Sequence, residues 1–207
     1  MRNIKVKVTF IEPILGTASA NKEIHSEYIA SKAPDAMSRE EEIAAIGAEE
    51  YEEKAMTVFP RNAEGQPILY DYQIKGFFKD ACSMLQKCRN GKAGKPEEFA
   101  KESCGIKAYK KIIDGCIFIK EREIPLNLAG EMGNLQRPLR GQTAQGERIA
   151  LANSEMAPKG TTCEFTILCL GPTYEGAIFE WLNYGALRGI GQWRNGSYGR
   201  FVYEVIE

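Results

Sequence analysis

Between Tyr184 and Arg200 the chain packs five glycines, three arginines and the aromatics Trp193 and Tyr198 into seventeen residues. Glycine lets a backbone come close to a ligand and leaves its amides free. Arg188, Arg194 and Arg200 are suited to fork onto phosphate oxygens, and Trp193 or Tyr198 to stack on a base. A tight turn between a helix and a strand accounts for Gly189, Gly191, Gly196 and Gly199. It does not account for three arginines, whereas a phosphate-bearing ligand accounts for both. The segment follows a helical pattern and precedes a strand, the reverse of the dinucleotide-binding fingerprint, so a nicotinamide or flavin site is not the expectation.

A second basic cluster lies in the middle of the chain. Arg137, Arg140 and Arg148 recur among Asn134, Gln136, Gln142, Thr143 and Gln145, polar groups suited to tracking a nucleic acid backbone, with a solvated loop as the alternative. For acid–base catalysis the candidates are His25, the single histidine, and Asp35, and neither has an orienting partner in the sequence. No hydrolase triad or phosphate-binding P-loop is spelled out. The six cysteines, at 82, 88, 104, 116, 163 and 169, form no CxxC pair. With one histidine far from all of them, no metal and no cofactor are expected.

The elements that must position these residues follow from periodicity. Residues 4–11 alternate apolar and polar, which predicts a strand burying Ile4, Val6, Val8 and Phe10. Ile74, Phe77, Phe78, Ala81, Met84, Leu85 and Cys88 follow helical spacing and predict an amphipathic helix over 73–89. A second strand is expected at 112–119, a third over Thr162–Leu170 with Cys163 and Cys169 facing the core, and a last one over Arg200–Ile206. Before the last strand, Ile178, Trp181, Leu182 and Gly185 share one helix face. The series is strand, helix, strand, strand, helix, strand. It predicts an α+β fold with a ferredoxin-like, RRM-like βαββαβ sheet, helices on one face and the other face open. Residues 120–160, rich in Gly, Pro, Asn and Gln, are too long for an idle loop.

The 207 residues fit a single domain over 1–207 with a core of its own, and 43% of them are apolar. Twenty-seven Lys and Arg against 28 Asp and Glu exclude a uniformly basic binder, but the charge is unevenly placed. Residues 35–54 carry eight acidic groups against two basic ones, and Lys75–Lys111 carry ten basic against four acidic. The acidic stretch, 35–57, reads as a peripheral helical insertion with Ser38 at its N-cap and Glu41 three residues on. Opposite charge on two surfaces suits an anionic ligand on one and self-docking through the other. No apolar signal region opens the chain and no run is long enough to span a membrane, so a cytoplasmic protein with reduced thiols and no membrane partner is expected.

Four segments together resemble the successive signatures of the RAMP superfamily, the RNA-binding backbone subunits of CRISPR effector complexes. They are Thr9 to Thr17, with Pro13 followed by Gly16-Thr17; Pro67 to Lys79, with Lys75-Gly76 opening a helix; Ala157 to Phe165; and Gly189-Ile-Gly through Gly199-Arg-Phe201. Tyr70-Asp71-Tyr72 stand where the family has proline-glycine-serine. The resemblance implies that Lys75 and Lys79 touch phosphates. It also implies that 120–160 form a thumb-like hairpin that displaces nucleotides, and that Arg188 to Arg200 line an RNA groove. Asp35 is only a positional counterpart of the cleaving aspartate of type III members. The function this implies is a non-enzymatic single-stranded nucleic acid binder, RNA before DNA, assembling into oligomers or filaments, with CRISPR or other defence proteins as partners. A bacteriophage anti-defence module, either a CRISPR-subunit mimic or a cyclic-nucleotide sponge, is one alternative, and an endoribonuclease is another.

Overall fold

A computed structural model describes residues 1–19, 56–90, 94–143 and 146–206, and for 139–143 and 146–151 the backbone only. In chain order the strands are β1 (Arg2–Phe10), β2 (Ile14–Leu15), β3 (Ala18–Ser19), β4 (Thr57–Val58), β5 (Ile68–Tyr70), β6 (Ile117–Ile119), β7 (Glu123–Pro125), β8 (Gly133–Thr143), β9 (Gly146–Ala157), β10 (Thr162–Cys169) and β11 (Phe201–Val205). The helices are α1 (Asp71–Leu85), α2 (Lys101–Gly105), α3 (Tyr109–Cys116) and α4 (Glu175–Arg188).

Strands β11-β1-β10-β6 form a four-stranded antiparallel sheet. Strand β1 lies along β10 from Arg2 opposite Cys169 to Thr9 opposite Thr162. Strict alternation puts Ile4, Val6, Val8 and Phe10 of β1 and Cys163, Phe165, Ile167 and Cys169 of β10 on the buried side. Helices α1 and α4 cover that side. The first contributes Ile74, Phe77, Phe78, Ala81, Cys82 and Leu85, the second Ala177, Ile178, Trp181, Leu182 and Gly185. At Gly185 a Cβ would stand 2.2 Å from the Phe201 ring, so only glycine lets α4 lie this close to β11. Burial pushes the Cys82 and Cys163 thiols up to about 12, which makes them inert core groups. The architecture is thus α+β, consistent with a ferredoxin-like sheet, and among the described residues no helix is long and apolar enough to cross a membrane.

Three boundaries differ from the sequence expectation. Residues 109–116, of which 112–116 read as strand, are helical, and only 117–119 join the sheet. Tyr109, Ile113 and Cys116 have i, i+4, i+7 spacing, and docking on α1 decides in favour of the helix over the β-branched Ile112-Ile113 pair. Helix α1 starts and ends earlier than 73–89: Gln73 Oε1 accepts the Tyr70 amide at 2.7 Å, and after Leu85 the chain turns so that Asn90 N donates to Lys95 O. The hairpin expected over 120–160 is shorter: Ile124 and Leu126 are buried and β7 pairs with β5, and the hairpin itself is β8–β9.

That hairpin belongs to a second sheet, β2-β9-β4-β3, with β8 added on β9. Thr57, the last residue of the expected acidic helical insertion, lies in β4 opposite Ser154, and the insertion up to residue 55 is outside the described residues.

Candidate nucleic-acid interface

The glycine-rich segment leaves α4 at Gly189 and returns to β11 as a closed loop. Ile190 N donates to Gly199 O at 2.9 Å and Gly199 N to Pro13 O at 2.8 Å, while Ile11 N and Glu12 N both reach Arg200 O. The neck is so tight that a Cβ on Gly199 would stand 1.9 Å from Ile190 O, and the φ of +70° is left-handed. The loop is therefore stapled to the end of β1, where Pro13 and the two residues of β2 begin.

Within the loop, Trp193 and Tyr198 stack face to face, 5.3 Å between centroids and 2° between planes. Trp193 carries a left-handed φ of 53°, as does Ser197 at 68°. Such backbone on residues with side chains costs energy and is often found at ligand sites. The Arg137 guanidinium, delivered by β8, lies over the indole. Its Nη1 is buried with no hydrogen-bond partner among the described residues, and desolvation lowers its affinity for the proton. A cleft of about 390 Å³ separates this stack from the hairpin base, lined by Glu12, Pro13, Leu135, Met156 and Tyr198. The hairpin and the loop thus meet at Arg137 and Trp193, residues more than fifty positions apart.

The three loop arginines are not equivalent. Arg188 Nε donates to Asp80 Oδ2 at 3.0 Å and Arg194 Nη1 to the same oxygen at 2.7 Å, while Arg188 Nη1 reaches Asn195 Oδ1 at 2.7 Å. Arg200 Nε caps Ala186 O at 2.6 Å and braces the end of α4. Asp80, on α1, is a residue of this candidate site that sequence reasoning did not single out, because its partners lie 108 and 114 positions away. One carboxylate oxygen between two guanidiniums leaves the trio with a net positive charge and with N–H donors to spare.

The lysines fall elsewhere. Positions 75 and 79 lie about 100° around α1 from Gly76 and Asp80. There Lys79 Nζ pairs with Asp114 of α3 at 2.6 Å, and Lys75 Nζ donates to Asp114 O at 3.2 Å while lying 4.8 Å from the Phe118 ring. The Lys79 hydrogen bond, with the charge of both lysines, holds the Asp114 carboxyl below its ordinary range. The structure therefore does not bring Lys75 and Lys79 together with the loop arginines; they clamp α3 onto α1. Arg140 and Arg148 sit toward the hairpin tip, opposite Ile149 and Gly141, and their side chains are outside the described set. His25 and Asp35 are outside the described residues altogether.

The open face of the main sheet carries Lys5, Lys7, Thr9, Glu164, Thr166 and Phe118, with Lys5 Nζ 3.7 Å from Glu164. Tyr203 packs on Phe179 of α4, on the helix side. Trp193, Tyr198, Arg188 and Arg194 belong to the glycine loop instead, with Arg137 over Trp193.

No family model matches the chain, and no curated protein does. Among solved structures, Cmr6 from Pyrococcus furiosus is similar over 99% of this chain and 98% of its own, at 13% identity and a TM-score of 0.51. Type III-B Cmr-beta bound to cognate target RNA matches over 99% of this chain at 15% identity and a TM-score of 0.49; the chain spans 58% of that chain's length. At this identity the likeness to Cmr6, which runs across the full chain, establishes the fold.

Proposed function

We propose that this chain binds single-stranded nucleic acid, RNA before DNA, along the groove between the glycine loop and the β8–β9 hairpin, and holds it without cutting it. The observation that carries the reading is the Trp193–Tyr198 stack, covered by Arg137 and adjoining the Arg188–Arg194 pair. An aromatic surface beside cationic forks is how sequence-tolerant strand binders work, since every base has a π-face and every linkage a phosphate. The fold shared with Cmr6 supports the same reading, and the resemblance of the four sequence segments makes RNA the first strand to test. Oppositely charged segments at 35–54 and 75–111 support rows of copies docked head to tail along one strand, alone or beside defence proteins.

The test is a titration of a labelled single-stranded RNA of about 30 nucleotides at several salt concentrations, with a slope of about 0.7 per contacted phosphate expected in log affinity against log salt. Light scattering of the complex is expected to show more than one protein per strand, and the strand is expected to stay intact. Absent or salt-independent binding sinks the proposal.

A further inference from the structure

Beside the glycine loop lies a second cleft, of about 400 Å³, between α1 and the loop. One wall carries Tyr72, Gln73 and Asp80, and the other Gly191 and Arg194. Tyr72 is half exposed, and its ring stacks on Tyr70 at 5.4 Å and 19°. Arg122, ion-paired with Asp71, stands 5.5 Å from the Tyr70 ring and 5.6 Å from that of Tyr72. One face of the Tyr72 ring is thus backed by Tyr70, and Tyr72 lines the cleft with half of its surface exposed.

We infer that Tyr72 is a second stacking step for the bound strand, taking one base on its outer face across the cleft from Arg194. The inference rests on the strand-binding reading above and adds a base site to it. The volume is within the range of small-ligand pockets. Arg194 lines the same cleft as Tyr72 and supplies a cation for the phosphate that links the stacked base. The polar wall does not read base edges: Gln73 has its Oε1 on the Tyr70 amide and its Nε2 on Thr17 Oγ1, both at 2.7 Å. Recognition here is by stacking, which is tolerant of sequence. Tyr70 behind the ring and Arg122 beside it fix its orientation, so little rotamer freedom is lost when a base arrives.

The experiment compares wild type, Tyr72→Leu and Tyr72→Phe on two labelled RNAs of equal length, one bearing bases and one with abasic ribose units throughout. Tyr72→Leu is expected to weaken binding of the base-bearing strand by about 5- to 150-fold, the range for one stacked base, with the salt slope unchanged. Tyr72→Phe is expected to bind as wild type does, and the abasic strand to be bound equally by all three proteins. A Tyr72→Leu protein that binds the base-bearing strand as tightly as wild type overturns this inference and leaves the strand-binding reading intact. Equal losses on both strands also overturn it, since they mark a disturbance of the fold or the charge. Failure of wild type to bind either strand ends both readings.

Discussion

Trp181→Ala is expected to destabilise the protein by about 3–5 kcal/mol, read as a lower urea midpoint with an unchanged slope. The side chain is fully buried, its ring 5.3 Å from that of Phe78, at the junction of α4 with α1. Its Nε1 donates to Ser103 Oγ at 3.0 Å, and Ser103 in turn gives both its amide and its hydroxyl to Glu180. Removing the indole leaves a large cavity and takes one partner from a buried polar group. Trp181→Phe keeps most of the volume and loses the donor, so about 1–3 kcal/mol is expected there. Trp193→Gly is the contrasting substitution. That indole is 37% exposed on a left-handed residue, where glycine relieves backbone strain of about 1–2 kcal/mol. Its stability is expected to hold or rise while strand binding weakens at constant salt slope, since stacking releases few counterions. Equal losses of stability at the two tryptophans would contradict the division of roles between core and loop.

What could be read in the sequence was what repeats locally. Strands β1 and β10 announce themselves by alternation and α4 by Ile178, Trp181, Leu182 and Gly185, because one face of each element meets a continuous apolar layer. Residues 112–116 misled because two adjacent β-branched residues outweighed a helical spacing that becomes decisive only once α1 is there to dock against. The glycine loop was legible as composition, but its geometry was not. That Gly199 must approach Ile190, or that Arg137 of the hairpin lies over Trp193, depends on strands pairing across most of the chain. Ion pairing was the least legible level. Nothing near Asp80 distinguishes it from a solvated helix acid, and nothing near Lys75 or Lys79 foretells Asp114 as their partner.

The Asp80 arrangement yields the largest expected effect on binding. Replacing both Arg188 and Arg194 by alanine is expected to weaken RNA binding by on the order of 100-fold or more, taking about 1.5–3 kcal/mol for each hydrogen bond to a charged group. The salt slope is expected to fall by about 1.4, from two phosphate contacts at roughly 0.7 each. Part of that loss comes from Asp80 itself, because without its partners the carboxylate stays beside the glycine loop as a bare negative charge that repels phosphates. Asp80→Asn added to the double variant is therefore expected to restore some affinity. On its own, Asp80→Asn keeps the side chain's shape and removes the anion that competes with phosphate for both guanidiniums, so tighter binding and a steeper slope are expected. Arg200→Ala, by contrast, removes a brace on Ala186 O and should show in stability before it shows in slope. The opposite outcome for Asp80→Asn, weaker binding at every salt concentration, would mean that the carboxylate's role is to aim the arginines and that holding them in place matters more than freeing them.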